Sequence, residues 1–189
     1  MWNFERWRPC VLALFLMTGL CSYAPAEEAT RQVYLPLVMD YGLIAPGLGY
    51  EQSISPYQSL SLEAYGHFWP SGWYNGQEDS IYGLGGVWRW YVHPVRPLNG
   101  WFVGAVIGMR LVHLKVSAPS RMADLWYSGV GFLCGYQWTL QSNWVLTAGA
   151  GAKDYFGLND PSAAIQGLPQ GWYGGGLEPD LHLSVGRKF

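Results

Sequence analysis

The chain has 189 residues and a formal net charge of −2, and its 11 Lys and Arg residues form no basic block, which argues against nucleic acid as a partner. Half of the residues are hydrophobic, 13% are charged and 25 are glycine. No stretch after residue 27 carries the 3.6-residue period of an amphipathic helix, so helical folds are excluded and one all-β domain is expected.

The first segment is a targeting signal. Arg6 and Arg8 precede an apolar run at residues 11–20, followed by small residues at Ala24 and Ala26. This pattern reads as a signal peptide over residues 1–26, cleaved before Glu27. The run is too short for a membrane span, which needs about 20 residues. A lipoprotein reading of Cys21 fails because Leu20 stands where a small residue is required. Cleavage removes Cys10 and Cys21, leaving Cys134, so residues 27–189 form no internal disulfide. Cys134 reads as a small apolar residue on a strand.

Eight strands follow. The first, 31–39, sets Val33, Leu35, Leu37 and Met39 outward, and an Asp40-Tyr41-Gly42 turn leads into the second, 42–53. Pro36 and Pro46 each remove a ladder donor, so bulges or early fraying are expected there. In 58–69, Leu60, Leu62, Ala64, Gly66 and Phe68 oppose Ser59, Ser61, Glu63, Tyr65 and His67. In 80–93, Tyr82, Leu84, Trp88, Trp90 and Val92 oppose Gly83, Gly85, Arg89, Tyr91 and His93. The strand 100–115 sets Trp101, Val103, Ala105, Ile107, Met109 and Leu111 against Gly104, Gly108 and Arg110. In 125–140, Trp126, Val130, Phe132, Tyr136 and Trp138 face away from Gly129, Gly131, Gly135 and Gln137. In 143–156, Trp144, Leu146, Ala148, Ala150 and Ala152 oppose Thr147, Gly149, Gly151 and Lys153. The last strand, 177–189, sets Leu181, Leu183, Val185 and Phe189 against His182, Ser184, Gly186 and Lys188.

A period of two with one apolar face marks a strand whose two sides meet different media. Each strand is about as long as a tilted crossing of the hydrocarbon layer requires. Short links at 53–57, 93–99 and 140–143 alternate with longer polar links at 70–79, 116–124 and 157–176, as in outer-membrane barrels. The aromatics sort into two belts. Trp88, Trp90, Trp101, Trp138 and Trp144 lie near the short turns, and Phe68, Trp69, Tyr82, Trp126 and Phe156 near the long links. The fold expected is an eight-stranded antiparallel up-and-down transmembrane β-barrel. A water-soluble lipocalin-like barrel is the alternative, but it would carry most of these Trp side chains on its wet surface.

The C-terminal strand resembles the closing strand of a bacterial outer-membrane barrel, in which a terminal aromatic such as Phe189 belongs to the assembly signal. Arg187 departs from that pattern by standing on the apolar face, from which it can snorkel to the headgroups. Four further motifs, Leu48-Gly49-Tyr50-Glu51, Trp88-Arg89-Trp90-Tyr91, Asn99-Gly100-Trp101-Phe102-Val103-Gly104 and Gly135-Tyr136-Gln137-Trp138-Thr139-Leu140, stand within residues 33–158. This stretch resembles an uncharacterised family of small outer-membrane β-barrels, similar in form to the OmpA and OmpX transmembrane barrels. The resemblance implies a bacterial outer-membrane location, with barrel-assembly machinery and outer-membrane lipid or lipopolysaccharide as partners. It brings no catalytic residues.

The inward face collects Glu51, Glu63, His67, Arg89, His93, Arg110, Lys153, Asp180 and His182, of both signs. Charges inside a narrow barrel must be paired, so these are read as a lumen polar network filling the interior, and the barrel as no pore. The sharper reading concerns Asp180, His182 and Ser184, whose alternate spacing points all three the same way and which are the components of a hydrolytic triad. They would serve a lipid A-modifying hydrolase or acyltransferase. Yet residues two apart on a strand lie about 7 Å apart, too far for direct triad bonds in ordinary rotamers. Trp73 and Tyr74 in one long link, and Trp172 and Tyr173 in another, are candidates for surface binding of an external ligand. No cofactor and no metal are expected, since the four histidines, His67, His93, His113 and His182, fall on separate strands without a Cys partner.

Overall fold

Alternation sustained over a dozen residues leaves every strand with one face to bury and two edges to pair, and closure into a barrel satisfies both. In the computed structural model, which describes residues 31–40, 43–69, 77–92, 94, 97–117, 120–140, 143–159 and 176–189, this is the outcome. Eight antiparallel strands in chain order close on themselves. They are β1 (Arg31–Asp40), β2 (Leu43–Ser55), β3 (Gln58–Trp69), β4 (Gln77–Val92), β5 (Gly100–Ser117), β6 (Ser120–Thr139), β7 (Trp144–Gly157) and β8 (Gly176–Lys188). The seam runs from Gln32↔Lys188 to Val38↔His182, and Phe189 extends it by donating its N–H to the Arg31 carbonyl at 3.0 Å.

Every described side chain assigned to a face lies on that face. Leu35, Leu62, Leu84, Val103, Phe132 and Leu183 are exposed on the outer wall, while Ser59, Glu63, Arg89, Gln137, Thr147 and His182 are buried within. The signal segment, the Asp40-Tyr41-Gly42 turn, His93, and the side chains of Met39, Phe68 and Trp69 lie outside the described part.

Two expectations need correction. The β1–β2 register is constant from Arg31↔Gln52 to Asp40↔Leu43, without bulge or fraying at either proline. The ladder merely skips Leu35 and Pro36, and β3 pairs β2 only as far as Gly47↔Tyr65, so Pro46 has no ladder to interrupt on that side. The bulge falls instead at Ser53/Ser55, where the chain tightens into the Pro56-Tyr57 turn. Nor is 116–124 a long link. β5 and β6 pair as far as Ser117↔Ser120, and β4 accompanies them to Gln77↔Val116. The three strands project about 20 Å along β5 beyond Leu111, at ~3.4 Å per residue. Ala123 and Leu125 stay buried while Met122 and Asp124 are exposed, so the alternation persists where apolar contrast fades.

Candidate functional site

The barrel's interior is its one concentration of buried charge among the described residues, and the ladder registers fix its layers. Ser59↔Arg89 and Arg89↔Gly104 set one level, and Glu63↔Gly85 lies four residues further along β3. In the first layer the Arg89 Nη1 atom lies 2.6 Å from Glu51 Oε2, and both residues are essentially inaccessible to water. Glu51 also accepts hydrogen bonds from Gln32 Nε2 and Ser59 Oγ, with the Tyr91 hydroxyl at 3.1 Å. Arg89 Nη2 reaches Glu63 at 3.5 Å, and Tyr34 donates to the same Glu63 oxygen at 2.6 Å. The guanidinium sits between the rings of Tyr34 and Phe102, at 5.9 and 5.3 Å from their centroids. Aromatic faces solvate a cation in part, which suits an arginine shut off from solvent.

Two further pairs stand closer to the β4–β5–β6 extension. Lys153 Nζ lies 3.1 Å from Asp180 Oδ2. Arg110 grips Glu178 with both terminal nitrogens at 2.8 Å, and the Tyr155 ring centroid is 3.8 Å from its guanidinium carbon. Two parallel N–H···O bonds make this the geometry an arginine fork favours. Ile81, Val112, Leu125, Tyr127 and Tyr155 form a buried apolar cluster toward that end.

Toward the opposite end, the described part of the β4–β5 link contributes one buried side chain. Leu98 takes a left-handed backbone (φ 55°) and tucks a fully buried side chain against Val87, Tyr91, Phe102, Val106 and Leu133. Such a backbone is costly for leucine and persists only where neighbours hold it. Here Gln137 Nε2 and Thr139 Oγ1 donate to the Leu98 carbonyl at 3.0 and 3.3 Å, and Lys188 Nζ to that of Pro97 at 2.7 Å.

The chain's similarities to known proteins are distant. No protein-family model and no curated protein matches the sequence. Among solved structures it is similar to Neisserial surface protein A (NspA), with 11% identity and a TM-score of 0.43 over 85% of this chain and 96% of that one. It is also similar to Ail, the attachment invasion locus protein of Yersinia pestis, with 8% identity and a TM-score of 0.45 over the same shares.

Of the residues singled out from sequence, Glu51 and Glu63 meet at the Arg89 guanidinium, with His182 Nδ1 3.7 Å from Glu63. Lys153 and Arg110 face the lumen in separate pairs, and His67 stands half-buried on the same side. Asp180, His182 and Ser184 do line up inside on β8, all buried. They form no triad. Asp180 is engaged by Lys153, His182 turns its Nδ1 toward Glu63, and among the described residues no hydrogen bond joins the three. Trp73, Tyr74, Trp172 and Tyr173 lie outside the described residues, and Phe189 is exposed at the seam.

Sequence reasoning missed Glu178, Gln32 and Tyr34, and it placed Gln137 on the inner face without assigning it to the network. Glu178 was recoverable, since it continues the parity of Asp180 and His182 across Pro179. Gln32 and Tyr34 share the inward parity of β1, but isolated polar residues there gave no sign of the carboxylates they meet.

Proposed function

We propose that this chain is an integral β-barrel of the bacterial outer membrane, with a lumen closed by its own side chains and a structural or surface-contact role rather than that of a pore. The observation that carries the reading is the outer wall. Its apolar band holds Leu35, Leu62, Leu84, Val130 and Leu183, bounded by Trp90, Trp101, Trp138 and Trp144 on one side and by Tyr82, Trp126 and Phe156 on the other. Trp126 and Trp138 stand about 40 Å apart along β6, or about 30 Å in depth at a tilt of ~40°. That matches one hydrocarbon layer. A lipocalin-like barrel in water would leave this whole surface wet, at a large hydrophobic cost.

The Arg89 and Arg110 clusters, the apolar layers between them and the buried Leu98 side chain favour a filled lumen, as eight strands leave an interior wide enough only for side chains. Lipid and lipopolysaccharide are the partners of such a wall, the barrel-assembly machinery acts on the strand ending in Phe189, and the extension of β4, β5 and β6 offers the surface for an external ligand. The triad geometry gives lipid A chemistry no support.

The deciding experiment compares boiled and unboiled samples of isolated outer membranes by gel electrophoresis. A mobility shift in that fraction is the result expected, and a soluble periplasmic chain without a shift would overturn the reading. Reconstituted in planar bilayers, the protein is expected to show no stable single-channel step; a reproducible step would reject the closed lumen.

A further inference from the structure

We propose that the outer wall carries a docking groove for a single anionic glycerophospholipid, its headgroup held by Arg187 and one acyl chain laid over β6, β7 and β8; this rests on the membrane reading above. The groove, about 620 Å³, is floored by Cys134, Ala148 and Ala150 and walled by Leu183 on one side and Tyr136 and Trp138 on the other. The registers make it continuous, since Cys134↔Ala150 and Tyr136↔Ala148 join β6 to β7 and Ala148↔Leu183 joins β7 to β8. Small residues floor the trough, whereas Phe132 on β6 and Leu146 on β7 stand exposed beside it on the same face. In hydrocarbon no hydrophobic drive favours filling such a trough, so close packing decides its occupant.

The second observation is Arg187. It is exposed on the same face as Leu183, and it pairs across the ladder with Trp144. Among the described residues it has no carboxylate partner. Leu183 lies about 13 Å from it along β8, or about 10 Å deeper at a tilt of ~40°. A lipid whose phosphate meets the guanidinium fork therefore has its acyl carbons at the depth of the groove, with Trp138 and Trp144 flanking at interfacial level.

A second copy of this chain fits less well. A two-fold contact along the membrane normal sets the same patch against itself, which would bring two Arg187 side chains together at one depth and oppose two concave surfaces.

Native mass spectrometry of the folded barrel, released from micelles holding equal amounts of phosphatidylglycerol and phosphatidylcholine with identical chains, tests this. Expected is one lipid adduct, anionic over zwitterionic by about five-fold, the effect of one arginine near an anionic headgroup. The preference should fall to about one in Arg187→Gln, and the adduct should be lost in Ala148→Leu/Ala150→Leu, with the boiling shift retained in both. Equal adducts in the unsubstituted protein, a preference that survives Arg187→Gln, or a dimer in place of the adduct would each overturn the proposal. A chain that stays in solution without detergent and shows no boiling shift fails the membrane reading itself.

Discussion

Replacing Arg89 by methionine should lower the unfolding free energy of the barrel by about 3–5 kcal/mol, the usual cost of removing one partner from a buried ion pair. The magnitude follows from what remains. Glu51 and Glu63 are both buried, and they share this one guanidinium at 2.6 and 3.5 Å. Glu51 would keep Gln32, Ser59 and Tyr91 as neutral donors, and Glu63 would keep Tyr34. Neutral donors satisfy lone pairs but leave the charge unbalanced, and the aromatic box of Tyr34 and Phe102 would lose its cation. Pairing the substitution with Glu51→Gln should recover part of the loss, so that the double variant costs less than the sum of the singles by about 1 kcal/mol or more. The exposed pair of His113 and Asp124 is the internal control: Asp124→Asn should change stability by about 1 kcal/mol at most. Denaturant titration in micelles measures all four. An unchanged midpoint for Arg89→Met would mean that water reaches the cluster, and the closed lumen would lose its main support.

The barrel was legible from the chain because alternation against a membrane-like contrast is a strong signal. Every inward or outward assignment made for a described side chain rests on a ladder with one apolar and one mixed face, and a slip of one residue would reverse them all. The signal fails where that contrast disappears. Arg121-Met122-Ala123-Asp124 looks like loop because its polar residues stand beyond the aromatic ring, yet Ala123 and Leu125 are buried in a continuing strand. The inner apolar cluster was illegible for a different reason. Val87, Phe102, Val106 and Leu133 point inward, and no local rule says that a barrel with charged inner residues also buries an apolar cluster. Leu98 was beyond reach, since it comes from a link whose left-handed backbone only its tertiary partners explain. At the candidate site, the parity of β8 located Asp180, His182 and Ser184 but could not reveal that Lys153 and Glu63, from other strands, would claim two of them.

Glycines on the inner face divide into two kinds, and the difference predicts the second large effect. A side chain at Gly151 would run into the Phe132 carbonyl, with the Leu133 Cα only 2.9 Å away. Gly131 and Gly135 meet the carbonyls of Ala152 and Ala148 in the same manner, so β6 and β7 press together along one seam. The obstruction is backbone, which cannot rotate aside, and Gly151→Ala should cost about 1–3 kcal/mol through strand displacement. Gly85 is the contrast. Its nearest obstacle is the Ile107 carbonyl at 3.6 Å, an ordinary contact, so Gly85→Ala should be neutral or stabilise by up to about 1 kcal/mol through a less disordered unfolded chain. Unfolding midpoints of the two variants, measured side by side, distinguish sharp curvature from mere small size. If both substitutions are neutral, the β6–β7 wall is not held at the observed separation. If both are costly, the interior near Gly85 is tighter than the structure has it. A split between them ties the glycines of β6 and β7 to the close approach of these two strands, at a level where Phe102 also packs against Gly135.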